Sequence, residues 1–179
     1  DNIDEKRYID GRVGAGARVN KSHKNRKDLF ISENHILSKI DGTIYSKLYE
    51  DVKKNFSDIK FRERWKLGKY TGEEQGFYKT HRDDSDETAF RNTSMICALS
   101  DPLDYEGGEL CFDSLNHQIK LKKGSVVVFK SSLFHHVNPV TSGLRIVLIS
   151  FFFDETGKKI KEQLNPTAPI INYKPILNN

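Results

Sequence analysis

The segment from residue 77 to residue 145 begins as Phe77-Tyr-Lys-Thr-His81-Arg-Asp83 and ends as Phe134-His135-His136-Val-Asn-Pro-Val-Thr-Ser-Gly-Leu-Arg145. Successive side chains of a β-strand point to opposite faces, so residues two apart share one face. His81 and Asp83 therefore project together, and a distant imidazole, that of His135, would complete a set of two histidines and one carboxylate. Such a set holds Fe(II) on one side and leaves the opposite positions open. The pattern predicts a non-haem iron site.

A histidine close to an aspartate is common by chance, so this pair needs further support. His81 and Asp83 lie on a strand-like segment, and His135 lies at the end of another. Arg145 follows His135 by ten residues, across the turn Pro-Val-Thr-Ser-Gly. An arginine that enters an apolar run generally has an anionic partner, although at a strand end it can also reach water. Because a guanidinium can bind a carboxylate through two parallel hydrogen bonds, we expect Arg145 to hold the far carboxylate of a 2-oxo acid that chelates the iron.

Length and composition indicate one soluble domain. The chain has 179 residues, 30% of them charged, and a mean hydropathy of −0.63, which is enough chain to bury a core. A net charge of +4 is mild, and it does not by itself indicate nucleic-acid binding. Cys97 and Cys111 lie in apolar contexts and are predicted to be buried free thiols, which fits a reducing compartment.

No apolar run approaches the roughly 20 residues that span a bilayer, and the first residues lack the apolar core of a signal peptide. We therefore expect a cytoplasmic location and no membrane partner. The chain has no initiator methionine, so a trimmed N-terminus is an open possibility. The oligomeric state is also open.

The order of elements favours a mostly β fold with flanking α structure. We expect residues 1–27 to form an arm whose basic run, Asn20 to Lys27, is a solvated loop. Ile36, Ile40, Ile44, Leu48 and Val52 then form one apolar stripe on a helix over residues 33–56. Short strands separated by turn residues follow from Phe61 and indicate an antiparallel sandwich or barrel. The predicted domain spans residues 28–154, with a catalytic core at about 60–154, and residues 155–179 form a tail.

Five segments together resemble the Fe(II)/2-oxoglutarate-dependent dioxygenase superfamily, and within it the prolyl 4-hydroxylase-like group. The segments are Gly76 to Asp83, Arg91 to Ser94, Leu99 to Leu110, Gly124 to Phe129 and His135 to Arg145. The resemblance covers roughly residues 60–154. It implies a double-stranded β-helix, a jelly-roll or cupin-like barrel, with an N-terminal helix packed on it.

The resemblance also implies roles for particular residues. His81, Asp83 and His135 match the iron ligands, and Arg145 matches the residue that holds 2-oxoglutarate. His135 is preferred to His136 because the family pattern is His-x-Val-x-Pro. Two positions depart from the pattern: Ala98 replaces a frequent tyrosine, and Val147 replaces a frequent serine. Other donors are therefore expected to help hold 2-oxoglutarate, and the candidates are Tyr70 and Ser94.

The implied activity is hydroxylation of a C–H bond that consumes O2 and converts 2-oxoglutarate into succinate and CO2, with ascorbate open as an accessory. Peptidyl proline is the first substrate that the resemblance suggests. A free amino acid or another small molecule remains an alternative, as does a catalytically silent module that binds metal and 2-oxoglutarate. A nucleic-acid demethylase fits less well because Phe151 stands where that group has a second arginine, and a cupin-like metal protein would have His-x-His. The acidic loop 84–87 suggests the hypothesis of a basic or amide-rich substrate.

Overall fold

The fold is seen in a computed structural model that describes residues 4–13, 18–56 and 59–173. The helices are α1 (Asn34–Asn55) and α2 (Glu155–Leu164). The strands are β1 (Ile9–Asp10), β2 (Arg12–Val13), β3 (Arg18–Val19), β4 (Lys24–Asn25), β5 (Lys27–Phe30), β6 (Phe61–Arg62), β7 (Lys66–Thr71), β8 (Phe77–His81), β9 (Thr93–Ala98), β10 (Tyr105–Gly107), β11 (Leu110–Phe112), β12 (His117–Ile119), β13 (Val126–Lys130), β14 (His135–Val137), β15 (Val140–Phe153) and β16 (Ile171–Asn172).

Two antiparallel sheets form the body of the protein. In the described residues the larger sheet has nine strands and runs β1-β5-β7-β15-β6-β16, with β10, β9 and β13 joined to it through β15. The smaller sheet has five strands in the order β12-β11-β14-β8-β4. Apolar side chains of both sheets pack into one buried cluster, so the sheets face each other across a shared interior. The prediction of a mostly β fold of the sandwich or barrel type is confirmed.

Strand alternation divides the apolar residues of β15 between two cores. Val147, Ile149 and Phe151 point into the interior between the sheets. Leu148 and Phe152 point to the other side of the large sheet, where helix α1 packs. A strand buried on both faces reads as a continuous apolar run, and residues 146–153 have that composition. The run therefore contributes side chains to both cores.

Helix α1 lies on the outer face of the large sheet, as its apolar stripe predicts. The helix spans 22 residues, and the stripe contacts Trp65, Leu67, Met95, Leu148 and Phe152. Asp41 adds a polar anchor in the middle of the helix. Its carboxylate accepts one hydrogen bond from Trp65 Nε1 at 2.7 Å and one from Arg62 Nη2 at 2.5 Å. Because Arg62 and Trp65 are both buried, this carboxylate balances a charge that water cannot reach.

The N-terminal segment differs from the expected arm. Strand β4 pairs with β8 of the small sheet, and β5 pairs with β7 of the large sheet. Lys24 and Arg26 lie in the predicted solvated loop, yet their exposed fractions are only 2% and 6%. They are buried because both pair with the carboxylate of Asp28. The domain bounds themselves stay a prediction.

The structure also bears on two expectations drawn from composition. Cys97 and Cys111 are buried free cysteines, as predicted. In the described part of the chain, neither helix has the length and apolar character needed to cross a membrane.

Replacement of Asp41 by alanine is expected to lower the free energy of unfolding by about 3 kcal/mol, because the buried guanidinium of Arg62 loses its charge partner. Denaturant unfolding measures this. Asp51→Ala is the matched control, since Asp51 is exposed on the same helix. Equal losses from the two substitutions would contradict the role assigned to Asp41.

Candidate metal centre

Three side chains meet at one end of the interior. His81 ends strand β8, His135 begins strand β14, and the two residues are opposite each other in the register of the small sheet. Asp83 follows two residues after His81, and its two carboxylate oxygens lie 3.5 Å from His81 Nε2 and 3.5 Å from His135 Nε2. The three potential ligand atoms all lie within 4.8 Å of one another. The sequence prediction that these residues come together is thus realised in the geometry.

Backbone carbonyls orient both imidazoles. His81 Nδ1 lies 2.8 Å from the carbonyl oxygen of Lys79, and His135 Nδ1 lies 2.9 Å from that of Leu133. Because a carbonyl only accepts hydrogen bonds, each Nδ1 carries the proton and each Nε2 keeps its lone pair. Both lone pairs are therefore available for a metal. The ring of Tyr78 stacks on His81, with 3.6 Å between centroids, and further restricts that ring.

His136 points away from this group. Its Nδ1 lies 3.3 Å from Asp113 Oδ1, while His135 is buried and contacts Asp83. Adjacent residues on a strand face opposite sides, so only one of the two histidines can reach the interior.

The protonation of the group suits a cation. Burial acts to raise the pKa of Asp83, but the neighbouring side chains of His81, His135 and Arg91 outweigh it, so this pKa lies well below the usual range. Burial lowers the pKa of His81, against the opposing effect of Asp83. A deprotonated carboxylate and a neutral imidazole are the forms that bind metal ions.

Asp83 is held by residues behind it. The hydroxyl of Ser94 donates to Asp83 Oδ2 at 2.7 Å and lies 2.9 Å from the hydroxyl of Ser131. The backbone of Asp83 is fixed as well, because its N–H donates to the Ser131 carbonyl and its carbonyl accepts from Arg91 Nη1. Ser94 is fully buried and is not among the described residues that line the neighbouring cavity. The prediction that Ser94 helps to bind 2-oxoglutarate stays a prediction. Its position indicates instead that Ser94 orients Asp83.

A cavity of about 580 Å³ extends from the metal group into the interior. Arg145 lines it and is 4% exposed, and within the described residues its Nη1 is buried without a hydrogen-bond partner. A buried guanidinium nitrogen without an acceptor is costly, so this atom marks a place for an anionic ligand. The side chain passes close to Gly108, whose φ is +69°; a Cβ there would lie 2.9 Å from Arg145 Cδ.

Tyr70 lies beside Arg145. The two residues are opposite each other on strands β7 and β15, and Arg145 Cζ lies 4.9 Å from the centroid of the Tyr70 ring. The Tyr70 hydroxyl accepts a hydrogen bond from Arg26 Nη1 at 3.1 Å. It therefore keeps its own proton to donate to a ligand in the cavity.

Sequence analysis missed the contribution of the N-terminal segment to this cavity. Lys24, Arg26 and Asp28 all line it, although the basic run around them was interpreted as a loop. The signal that could have found them is alternation: Lys24, Arg26, Asp28 and Phe30 are spaced two apart, as on one face of a strand. Charge-rich alternation is easily taken for a solvated loop because it lacks apolar residues.

The fold and this site define a class of non-haem metal oxygenases, and comparisons with known proteins agree. Residues 65–153 match the model of the 2OG-Fe(II) oxygenase superfamily. A PKHD-type hydroxylase of Synechococcus sp. (strain CC9311) is 30% identical over 152 residues, which cover 82% of this chain and 67% of that protein. A PKHD-type hydroxylase of Aliarcobacter butzleri (strain RM4018) is 38% identical over 85 residues, 42% of this chain and 37% of that protein.

A solved structure supports the fold. A prolyl hydroxylase from Trichoplax adhaerens, in complex with a peptide fragment of the hypoxia inducible factor oxygen degradation domain, superposes with a TM-score of 0.69. It is 17% identical and covers 86% of this chain and 74% of its own. The family match over residues 65–153 and the Synechococcus relative show that the chain belongs to the 2OG-Fe(II) oxygenase superfamily. It is an Fe(II)- and 2-oxoglutarate-dependent oxygenase related to PKHD-type hydroxylases, with the double-stranded β-helix fold that the resemblance implied.

Replacement of Ser94 by alanine is expected to lower the affinity for Fe(II) by about tenfold, because Asp83 loses a hydrogen bond that orients it. Anaerobic equilibrium titration of Fe(II) measures the change. Ser132→Ala is the control, since Ser132 is an exposed neighbour of Ser131. Unchanged affinity in Ser94→Ala would show that the backbone contacts alone position Asp83.

Proposed function

We propose that the protein hydroxylates a peptidyl proline, with His81, Asp83 and His135 holding Fe(II) and Arg145 holding 2-oxoglutarate. The observation that carries the assignment is the conjunction, in one cavity, of the three ligand atoms and an unpartnered buried guanidinium. The three ligand atoms suit a divalent cation that keeps other coordination positions open. The guanidinium suits the carboxylate at the far end of the co-substrate.

The residues present fit both groups. Two neutral imidazoles and one carboxylate leave part of the coordination sphere for a chelating 2-oxo acid, and Tyr70 adds a hydroxyl donor beside Arg145. When bound, Fe(II) would activate O2 and 2-oxoglutarate would supply two electrons, so that one oxygen atom of O2 enters the C–H bond and succinate and CO2 are released. We include ascorbate in the proposal as an accessory that keeps the iron reduced.

The protein's own part is to orient the reactants and to exclude water. Ile96, Val147, Ile149 and Phe151 line the cavity between Arg145 and the metal group. Such apolar walls strengthen the electrostatic hold of Arg145 on a carboxylate. Ser94 and the carbonyls of Lys79 and Leu133 keep the ligand set in one geometry.

Support for a peptide substrate comes from the relatives. The Trichoplax structure holds a peptide fragment and is described as a prolyl hydroxylase. The cavity of this protein is also lined by Ile9 of strand β1 and Phe30 of strand β5, which are 48% and 42% exposed. Exposed apolar side chains on the wall of a cavity suit an extended peptide.

The activity is tested by succinate formation from 2-oxoglutarate with Fe(II), ascorbate and proline-containing peptides. We expect turnover in the parent protein and its loss in His81→Ala, because the metal loses a ligand. Arg145→Ala is expected to raise the KM for 2-oxoglutarate by about 100-fold, since a buried charge-assisted pair is lost. His136→Ala serves as the control and should keep activity. Binding of Fe(II) and 2-oxoglutarate without any turnover would support the silent module instead.

Gly108→Ala is expected to weaken the binding of 2-oxoglutarate by about tenfold or more, because the added Cβ would displace Arg145. Gly124→Ala is the matched control. Gly124 has a φ of +81° but no atom within 4 Å of an added Cβ, so it reports the cost of strain alone, about 1 kcal/mol of stability. Equal effects of the two substitutions on 2-oxoglutarate affinity would refute the steric explanation.

A further inference from the structure

Two clusters of charged side chains, one buried and one half-buried, flank the cavity. In the first, Asp28 pairs with Lys24 Nζ at 2.9 Å and with Arg26 Nε at 2.5 Å. In the second, Glu63 pairs with Arg91 Nη2 at 2.6 Å and with Lys161 Nζ at 3.4 Å. Counted with every side chain in its usual ionised form, each cluster holds two cations and one carboxylate and so has a net charge of +1. Burial of unbalanced charge is unfavourable, which points to an anion from outside the protein.

Lys66 adds another positive charge between the clusters. It starts strand β7 and lines the cavity opposite Ile149. Within the described residues its ammonium makes no hydrogen bond and no ion pair within 4 Å; its contact is the ring of Phe151, whose centroid lies 5.1 Å from Nζ. Asp28 and Glu63 are each already paired with two other cations. Lys66 is therefore available to bind a ligand.

Lys66 lines the same cavity as the metal group and is connected to it through Phe151 and Arg91. Arg91 Cζ lies 3.7 Å from the centroid of the same Phe151 ring, and Arg91 Nη1 donates to the backbone carbonyl of Asp83. Phe151 is opposite Ser94, which donates to Asp83. Burial lowers the pKa of Lys66, with Asp28 opposing and Arg26 adding to the shift. A bound anion at Lys66 would stabilise the protonated form of this side chain, which burial disfavours.

The co-substrate does not balance this charge. One carboxylate of 2-oxoglutarate is assigned to Arg145, and the other joins Fe(II) and Asp83, where the charges of +2, −1 and −1 cancel. The two clusters and Lys66 together then keep +3 along the wall. We propose that the prime substrate carries a carboxylate next to the hydroxylated position, and that Lys66 binds this carboxylate. The inference rests on the proposed function and specifies the substrate class of the same site.

The sign of this charge is opposite to the one suggested by the acidic loop 84–87. Asp84 in that loop accepts a hydrogen bond from Arg82 Nε at 2.5 Å, so its charge is already matched. The carboxylate of the substrate has two chemical sources: an acidic side chain beside the target residue of a peptide, or the α-carboxylate of a free amino acid.

The test compares substrates with and without a carboxylate. The probes are Gly-Glu-Pro-Glu-Gly with blocked termini, the same peptide with glutamine or with lysine in place of glutamate, and free proline with prolinamide, which lacks the carboxylate, as its partner. Binding is measured by calorimetry without O2, in the presence of Fe(II) and 2-oxoglutarate. We expect the parent protein to prefer the acid about tenfold over the amide in one of the two pairs, either the glutamate peptide over the glutamine peptide or proline over prolinamide. A charge-assisted contact gives a preference of this size.

Variants of Lys66 identify the residue responsible. Lys66→Gln should remove the preference for acid over amide, and Lys66→Glu should shift it toward the lysine peptide. The ratio between matched probes is taken on the same protein, so a general loss of folding or affinity cancels. Lys69→Gln is the control and should keep the preference, because Lys69 lies on the outer face of β7 and pairs with Glu5.

Each outcome is decisive. A preference for the glutamate peptide identifies an acidic peptide, and a preference for free proline over prolinamide identifies a free amino acid. The inference is overturned when no acidic probe binds better than its amide, or when Lys66→Gln keeps the preference. Succinate formation without charge preference would leave the proposed function intact and reject the role of Lys66. Charge-selective binding that disappears in Lys66→Gln, without any turnover of 2-oxoglutarate, would support the role of Lys66 and reject the proposed function.

Discussion

Strand β15 constrains the rest of the structure. Its 14 residues pair with β10, β7, β9 and β6, so both of its edges are occupied and its register sets that of the large sheet. Alternation along this one strand sends Arg145 and Phe151 to the interior and Leu148 to the core beneath α1. A shift by a single residue would exchange the two faces and place the arginine against the helix. The co-substrate pocket and the helix packing thus depend on the same register.

Electrostatic balance connects the site to its surroundings. The metal group offers one carboxylate and two neutral imidazoles, and the cavity behind it offers Arg145, whose Nη1 has no acceptor within the described part of the chain. The clusters around Asp28 and Glu63 are internally paired, yet each keeps one positive charge. The interior therefore combines apolar walls, which exclude water, with cations that small anionic groups can reach. That combination favours ligands with carboxylates over neutral or basic ones.

Much of this arrangement could be predicted from the sequence. Helix α1 follows from its stripe, and the convergence of His81, Asp83 and His135 follows from alternation and from the family resemblance. The support of Asp83 by Ser94 and Ser131 could not be predicted, because these residues lie on separate segments and meet only when β9 and β13 pair. The burial of Arg26 was missed for a related reason: its partners Asp28 and Tyr70 become neighbours through the pairing of β5 with β7.

The sequence by itself determined the chemistry of the metal group and the presence of an arginine in an apolar strand, because residue type and strand periodicity are local properties. Only the tertiary structure decided where charge remains unbalanced. Whether a lysine is solvated, paired or left facing a cavity depends on every carboxylate that long-range strand pairing brings near it. Lys24 and Lys66 both belong to charged, strand-forming segments. Both line the cavity, but Lys24 is paired with Asp28, whereas Lys66 has no carboxylate within 4 Å among the described residues, since Asp28 and Glu63 already hold two cations each.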